Sequence, residues 1–133
     1  MKADMRIAAM IVMGAAGLLA ASPAMAQGKA SPADVAAGKK AFMKCMACHA
    51  TTAGAPAKVG PTLFGVVGKA AASQPGYRYS AALAGAKLTW NNANLDKWLA
   101  RPMTMVPGTA MAFAGVSDAA ERKAIIAYLS TLK

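Results

Sequence analysis

The side chains from which most metal sites are built are scarce in this sequence. Its 133 residues include one histidine, His49, two cysteines, Cys45 and Cys48, and five acidic residues. A structural zinc site needs four ligands, and no second pair of cysteines or histidines is present to supply them. A thioredoxin-like dithiol would need a βαβ context, whereas no stretch alternates with period two for long enough to form a sheet. Zinc sites and sheet-based redox folds are therefore disfavoured.

Residues 1–26 have the features of a secretory signal peptide. A basic start precedes an apolar run over residues 7–21, and an A-x-A motif follows that ends at Ala26. We expect cleavage after Ala26, export to the periplasm, and one mature domain over residues 27–133. The alternative is a retained N-terminal anchor, although about fifteen apolar residues are short for a membrane span of about 20.

Acidic residues are outnumbered by basic ones, five to fifteen, and the formal charge is +10 at pH 7. Loss of residues 1–26 would remove Lys2, Asp4 and Arg6 and leave a charge of +9. Such a charge suits nucleic acid, a lipid surface or an acidic protein. No basic run is longer than two residues, and an exported protein does not meet nucleic acid. An acidic protein surface is therefore the predicted partner.

The two cysteines and the histidine form one motif, Cys45-Met46-Ala47-Cys48-His49. C-x-x-C-H is the signature of c-type haem attachment, in which both thiols add to the vinyl groups of one haem and the imidazole binds its iron. We predict one haem c, covalently bound through Cys45 and Cys48, with His49 as an axial ligand. The sixth iron position is filled from elsewhere or is open. A redox dithiol is the alternative for the cysteine pair.

The remaining pattern predicts an all-α fold. Ser31 as N-cap, Pro32 at the first helical position and Asp34 near the positive end of the dipole start a helix that runs to about Met46. Later elements are one or two helical turns between Ser80 and Trp90, a helix over residues 92–99 that Pro102 stops, an irregular loop over residues 103–115, and a last helix that opens at Ser117-Asp118. Three main helices, short helical turns and long loops are expected to wrap the cofactor.

Four further residues are candidates for the surroundings of the haem. A metal-bound histidine usually donates its second ring nitrogen to an acceptor, so we nominate the Pro61 carbonyl for His49 Nδ1, with a simple turn proline as the alternative. Tyr77, Tyr79 and Trp90 carry O–H and N–H groups that need acceptors when buried, and a haem propionate supplies such acceptors. Ordinary core packing is the alternative for the three aromatic residues.

The motifs from residue 38 onward follow an order that a known family shares. They are Gly38 and Phe42 on the first helix, Cys45-x-x-Cys48-His49, Gly60-Pro61-x-Leu63, Gly76-Tyr77-x-Tyr79, Trp90, Pro107-Gly108-Thr109-x-Met111-x-Phe113, and Tyr128-Leu129 on the last helix. In this order they resemble the class I c-type cytochromes, which include mitochondrial cytochrome c and periplasmic cytochromes of bacteria. The resemblance covers nearly all of the predicted mature chain, and it implies the cytochrome c fold.

The resemblance also implies the second iron ligand. Met111 would be the sixth ligand, and Thr109 would hydrogen-bond the inner propionate. Met103 and Met105 are the competing methionines, since this side chain often only fills gaps. The same resemblance has the first and last helices cross at Gly38.

Three positions depart from the mitochondrial members of that family. Trp98 stands in place of a tyrosine, Leu83 in place of an asparagine, and Lys69 in place of an arginine near a propionate. Polar groups near the iron tune its reduction potential. The potential of the family therefore does not carry over to this chain.

One-electron transport is the function that the resemblance implies. Histidine and a thioether occupy both axial positions, which leaves no iron site for a substrate. We predict a monomeric periplasmic carrier of a respiratory chain, not an enzyme, that runs between a quinol-oxidising cytochrome bc complex or a dehydrogenase and a terminal oxidase, reductase or reaction centre. The alternatives are a subunit of a larger redox complex, and a haem whose methionine leaves so that it acts as a peroxidase or gas binder. No distal histidine or arginine pair supports a peroxidase.

The family also suggests how partners dock. The basic residues expected to ring the haem edge are Lys40, Lys44 and Lys58, with Lys39 and Lys97 nearby in sequence. Uncharged residues stand where mitochondrial members carry lysines at Met103, Thr104 and Ala110. We expect electrostatic steering with a milder salt dependence than a fully basic face would show.

Overall fold

The computed structural model describes residues 29–133. The predicted signal peptide, residues 1–26, and its cleavage site after Ala26 lie outside the described residues. Within the described part the helices are α1 (Pro32–Ala41), α2 (Ala81–Gly85), α3 (Asn92–Ala100), α4 (Pro102–Met105) and α5 (Ala119–Leu129), and a 3₁₀ helix over Phe42–Cys45 continues α1. Residues 29–133 contain no strand, only one isolated antiparallel bridge between Ala70 and Thr89. The all-α prediction is confirmed.

Helix starts follow the predicted capping chemistry. The Ser31 hydroxyl accepts a hydrogen bond of 3.1 Å from the Asp34 backbone N–H, with Pro32 at the first helical position of α1. The Asp118 carboxylate accepts one of 2.8 Å from the Ala120 N–H at the start of α5. Each oxygen satisfies a backbone donor that has no partner inside the helix. Side chains of Ser80 and Asn91 cap α2 and α3 in the same way.

The prediction of an irregular loop over residues 103–115 is wrong for its first residues, because residues 103–105 belong to a short helix. Pro102 does not simply end the preceding helix: α3 ends at Ala100, and Pro102 occupies the first position of the short helix α4. Arg101 between them lies outside the helical region, with φ of −158° and ψ of 89°, because a proline disfavours the helical conformation of the residue before it. A proline lacks only an N–H that has no partner in a first helical turn, so it starts a helix as readily as it stops one.

Helices α1 and α5 cross at a glycine, as predicted. A Cβ atom at Gly38 would lie 1.9 Å from the Ala124 carbonyl oxygen, so only glycine allows the two backbones to approach this closely. Beside the crossing the Phe42 and Tyr128 rings pack with centroids 5.3 Å apart. The first and last helices of the described chain are thereby in contact, and the segment between them folds around one core.

That core lies among α1, α3 and α5. Its buried members are Phe42, Leu83, Trp90, Leu95, Trp98, Leu99, Val106, Val116, Ile125, Ile126 and Leu129. Half-buried residues of the sequence motifs pack against it, namely Cys45, Leu63, Tyr79, Met111 and Phe113. None of the helices within residues 29–133 has the length and apolar character that a membrane crossing requires.

Candidate functional site

Both cysteines and the histidine lie on one tight turn at the end of the 3₁₀ helix. The Cys45 carbonyl accepts hydrogen bonds from the Cys48 N–H at 3.1 Å and from the His49 N–H at 2.9 Å. Both thiols are free and half-buried. Burial raises the pKa of the Cys45 thiol, while the neighbouring Lys44 ammonium opposes that shift. Two sulfurs and an imidazole are thus held on a single turn of backbone.

The His49 ring is positioned by the next loop, residues 58–63. Its Nδ1 atom lies 2.7 Å from the Pro61 carbonyl oxygen, the acceptor nominated from the sequence. A carbonyl can only accept, so Nδ1 carries the proton and Nε2 keeps its lone pair. Burial lowers the pKa of His49, against a smaller opposing effect of the Pro61 carbonyl, and this favours the neutral imidazole that binds metals.

Gly60 lets this loop lie directly on the imidazole. A Cβ atom at this position would lie 2.4 Å from His49 Cε1 and 2.8 Å from Nδ1. The Gly60 N–H also donates to the Cys48 carbonyl at 2.8 Å. Any larger residue would displace the ring from Pro61. Gly60 belongs to a motif found in the sequence, but its steric role depends on the contact with His49, which no sequence pattern indicates.

Further hydrogen bonds fix the same loop to the cysteine turn. Lys58 Nζ donates to the Met46 carbonyl at 2.9 Å, and the Leu63 N–H donates to the Ala50 carbonyl at 2.8 Å. Thr62 Oγ1 donates to the same Ala50 oxygen at 3.2 Å. The Pro61 carbonyl is therefore held in place rather than free to follow the ring.

The aromatic candidates occupy two pairs. Tyr77 and Tyr79 meet edge to face with centroids 4.7 Å apart, and Trp90 lies against Trp98 with centroids 5.2 Å apart. Tyr77 Oη donates to the Val59 carbonyl at 2.8 Å, a backbone partner that sequence reasoning missed because carbonyls leave no residue signal. Burial raises the pKa of the half-buried Tyr79. Their predicted role beside a propionate stays a prediction.

Met111 lies 62 residues after His49 in the chain. It is half-buried and packs against the hydrophobic core. Its N–H is 3.4 Å from Thr109 Oγ1, and its carbonyl accepts from the Phe113 N–H at 3.0 Å. Gly108, with φ of 87°, makes the turn that precedes this segment. The Thr109 oxygen acts as acceptor here, so its hydroxyl proton is available for another acceptor.

Glu121 contributes a contact that the sequence did not indicate. Its carboxylate forms an ion pair with Lys44, one of the lysines expected to ring the haem edge. Both side chains are partly exposed, at 41% for the lysine and 31% for the glutamate, so the pair contributes little to stability. It does reduce the positive charge that this lysine presents to a partner. The two residues are 77 positions apart, which is why only the fold reveals the pair.

These residues fit the group that the motif implies. Free, half-buried thiols two residues apart suit two thioether links, and an imidazole with one nitrogen tied to a carbonyl leaves the other for iron. No side-chain polar atom that is buried within residues 29–133 lacks a hydrogen-bond partner. The same part of the chain contains no cluster of three or more histidine, cysteine or acidic side chains that could hold a bare metal ion. The donor set suits a haem rather than zinc.

Comparison with known proteins agrees with this geometry. A family model described as Cytochrome c matches residues 35–133. Cytochrome c2 from Rhodomicrobium vannielii is 40% identical over 121 residues, which cover 91% of this chain and 93% of that protein. A cytochrome c homolog from Bradyrhizobium diazoefficiens is 46% identical over 101 residues, 75% of this chain, and the match spans only 55% of that protein. The solved structure of cytochrome cH from Methylobacterium extorquens superposes with a TM-score of 0.70 at 50% identity and covers 74% of this chain and 98% of that one.

Proposed function

The chain belongs to the cytochrome c family, with one haem c bound through Cys45 and Cys48, and we propose that it is a periplasmic one-electron carrier with His49 and Met111 as the iron ligands. When bound, haem c supplies one iron that changes by a single electron between its ferrous and ferric states. The remaining task of the protein is to hold two donors, exclude water and present the group to a partner.

The observation that carries this proposal is the hydrogen bond between His49 Nδ1 and the Pro61 carbonyl, at 2.7 Å. It fixes the tautomer and the orientation of the ring, so that Nε2 is the donor on offer. Gly60 lies so close to the ring that a Cβ atom there would be 2.4 Å from His49 Cε1. An imidazole held on both sides in this way keeps its position when the iron changes oxidation state, which a carrier requires.

Met111 supports the proposal as the second donor. A thioether is neutral and soft, and in cytochromes it raises the reduction potential relative to harder ligands. The half-buried position of Met111 against the core surrounds part of its side chain with apolar residues. With both donors engaged, no substrate reaches the iron without displacing one of them, and this favours a carrier over an enzyme.

Charge supports acidic redox proteins as partners. The predicted mature chain has a formal charge of +9, and within residues 29–133 Asp96 and Glu121 are paired with Arg122 and Lys44. We infer that a quinol-oxidising complex or dehydrogenase reduces the protein, and that a terminal oxidase, reductase or reaction centre accepts the electron. An association rate that stays constant from low to high ionic strength would contradict this docking mode.

The ligand assignment is tested with Met111→Ala, with Met103→Ala and Met105→Ala as matched controls. We expect Met111→Ala to lose the weak sulfur-to-iron absorption band of the ferric protein and to lower its reduction potential. Both controls should keep the band and the potential. Retention of the band in Met111→Ala, with its loss in one of the other variants, would assign the sixth ligand to that methionine.

Export is tested on the protein secreted from a bacterial host that assembles haem c. Amino-terminal sequencing of the periplasmic fraction should begin at Gln27. A haem-containing product that retains residues 1–26 and sediments with membranes would instead establish the anchored form.

A further inference from the structure

Met111 lies in the middle of a segment whose two ends are buried. Val106 precedes it and Val116 follows it, and both side chains belong to the hydrophobic core. Between these ends the Met111 carbonyl accepts a local hydrogen bond of 3.0 Å from the Phe113 N–H. The position of the Met111 sulfur therefore depends on how firmly the two ends of the segment are held.

The end before Met111 is held by bonds between neighbours in the chain. The Val106 N–H donates to the Pro102 carbonyl at 2.9 Å, and the Thr109 N–H donates to the Val106 carbonyl at 3.1 Å. These bonds shape the turn that leads to Met111, but they do not join this end to another helix.

The end after Met111 is joined to α3. The Val116 N–H donates to the Leu99 carbonyl at 2.8 Å. A Cβ atom at Gly115 would lie 2.0 Å from the Ala100 oxygen, so the two backbones are in direct contact here. This end is therefore the one that ties the Met111 segment to the rest of the fold.

Arg122 of α5 holds the same end from the other side. Its Nη1 atom donates to the Val116 carbonyl at 3.0 Å and to the Ser117 carbonyl at 2.8 Å, while its Nε atom pairs with the Asp96 carboxylate of α3 at 2.7 Å. The arginine side chain is only 13% exposed, so these bonds are screened less than those of an open surface pair. One guanidinium thus connects α3, α5 and the end of the Met111 segment.

The three contacts of Arg122 require an arginine. A guanidinium carries five N–H donors in a rigid plane, whereas a lysine carries one ammonium on a flexible stem. Bonds from a charged donor are also stronger than those between neutral groups. A lysine at this position would keep the charge but could not reach all three acceptors in the same way.

We propose that Arg122 is a positioning residue for the sixth iron ligand: its bonds to Val116, Ser117 and Asp96 hold Met111 in place and so keep small external ligands from the iron. When the sulfur leaves the iron its segment moves, and that movement works against the three bonds. The inference rests on the proposed carrier function, and it names a residue that acts on the same site through the chain rather than as a ligand.

The test uses imidazole, which competes with Met111 for ferric iron. Imidazole is titrated into the haem-loaded ferric protein while the weak sulfur-to-iron absorption band is followed. In Arg122→Lys we expect half of the band to be lost at about tenfold less imidazole than in the native protein, because charge-assisted hydrogen bonds are lost. In Asp96→Ala, which removes one of the three acceptors, the decrease should be about threefold. The double variant should differ from Arg122→Lys by less than that threefold effect, since both changes break the same connection.

Two controls separate positioning from side-chain type and from overall stability. Arg101→Lys is the same substitution at an exposed arginine that forms no ion pair within residues 29–133. Ser31→Ala removes the N-cap of α1 and lowers the free energy of unfolding, which denaturant unfolding measures. In both variants the imidazole concentration should change less than about twofold.

An unchanged imidazole concentration in Arg122→Lys, together with a lower free energy of unfolding, would overturn the inference and show that Arg122 only stabilises the fold. An equally large decrease in Ser31→Ala would also overturn it, because release of the methionine would then follow overall stability. If Arg122→Lys does not fold, Asp96→Ala decides between the same results. A native protein that lacks the methionine band would overturn the proposed ligand set together with this inference, and that result is recognised before any substitution is made.

Discussion

The two sides of the site are held in different ways. On the histidine side, residues 45–63, several hydrogen bonds join two separate segments, such as Gly60 N–H to the Cys48 carbonyl at 2.8 Å and His49 Nδ1 to the Pro61 carbonyl at 2.7 Å. The methionine side, residues 106–116, has a long contact of 3.4 Å between the Met111 N–H and Thr109 Oγ1, and its backbone is joined to α3 by the bond from the Val116 N–H to the Leu99 carbonyl. We infer that the methionine side yields first under denaturant, because fewer hydrogen bonds join it to another segment.

The largest expected effect comes from removing the covalent anchor of the histidine side. Cys45→Ala combined with Cys48→Ala should leave no haem attached after acid–acetone extraction, since both thioether links are lost. The core should also loosen, because a small domain depends on its cofactor for buried apolar area. Haem that survives extraction from the double variant would contradict the attachment through these cysteines.

A smaller but still severe effect is expected from Gly60→Ala. The added methyl would lie 2.4 Å from His49 Cε1, so the ring must leave the Pro61 carbonyl, and we expect a loss of about 2 kcal/mol in the free energy of unfolding. Denaturant unfolding of the haem-loaded protein measures it. Gly85→Ala is the control, because no atom lies within 4 Å of a Cβ there, and its effect should stay below about 1 kcal/mol. Equal effects in the two variants would show that the loop does not constrain His49.

On the methionine side, Gly108→Ala should cost about 1 kcal/mol through its φ of 87°, which L-residues rarely adopt. Because Gly108 precedes the Met111 segment, the methionine band should disappear at a lower denaturant concentration than the overall fold. Gly54→Ala is the control for backbone strain alone. Gly54 has a similar φ of 69°, and a Cβ atom there would meet no neighbour within 4 Å. If the methionine band and the overall fold of Gly108→Ala were lost at the same denaturant concentration, the two sides of the site would unfold as one unit.

The smallest effect is expected from Glu121→Gln, which breaks the ion pair with Lys44. The change in stability should be below about 1 kcal/mol, because both side chains are partly exposed. The association rate with an acidic redox partner at low salt should rise by about twofold, since the Lys44 ammonium becomes available for docking. Asp34→Asn gives the same change in net charge without an ion pair and should raise the rate less. An equal rise in both variants would show that only net charge matters.

Sequence reasoning succeeded where chemistry depends on spacing. The C-x-x-C-H motif alone predicts the attachment, and the need of a metal-bound imidazole for an acceptor predicts the Pro61 carbonyl, which lies 2.7 Å from His49 Nδ1. Helix starts at Ser31 and Asp118 followed from their capping side chains. In each case the interacting groups lie within a few residues or belong to one functional unit.

Sequence reasoning failed where several structures suit the same residues. Pro102 is compatible with a helix stop and with a helix start, and only the packing of α4 against the end of α3 decides between them. Tyr77 needed an acceptor, but its choice of the Val59 carbonyl depends on how two loops approach each other. Backbone acceptors are present at every residue and therefore carry no sequence signal.

The order of its motifs was enough to recognise the family by resemblance. Local spacing and composition were enough to predict the covalent cofactor, the all-α architecture and the excess of positive charge, because these do not depend on distant contacts. The tertiary structure alone decided which lysine is paired with Glu121, how Gly60 confines the His49 ring, and that Arg122 joins Asp96 to the segment before α5. These features join residues far apart in the chain, and such contacts depend on chain geometry that composition and short-range periodicity do not encode.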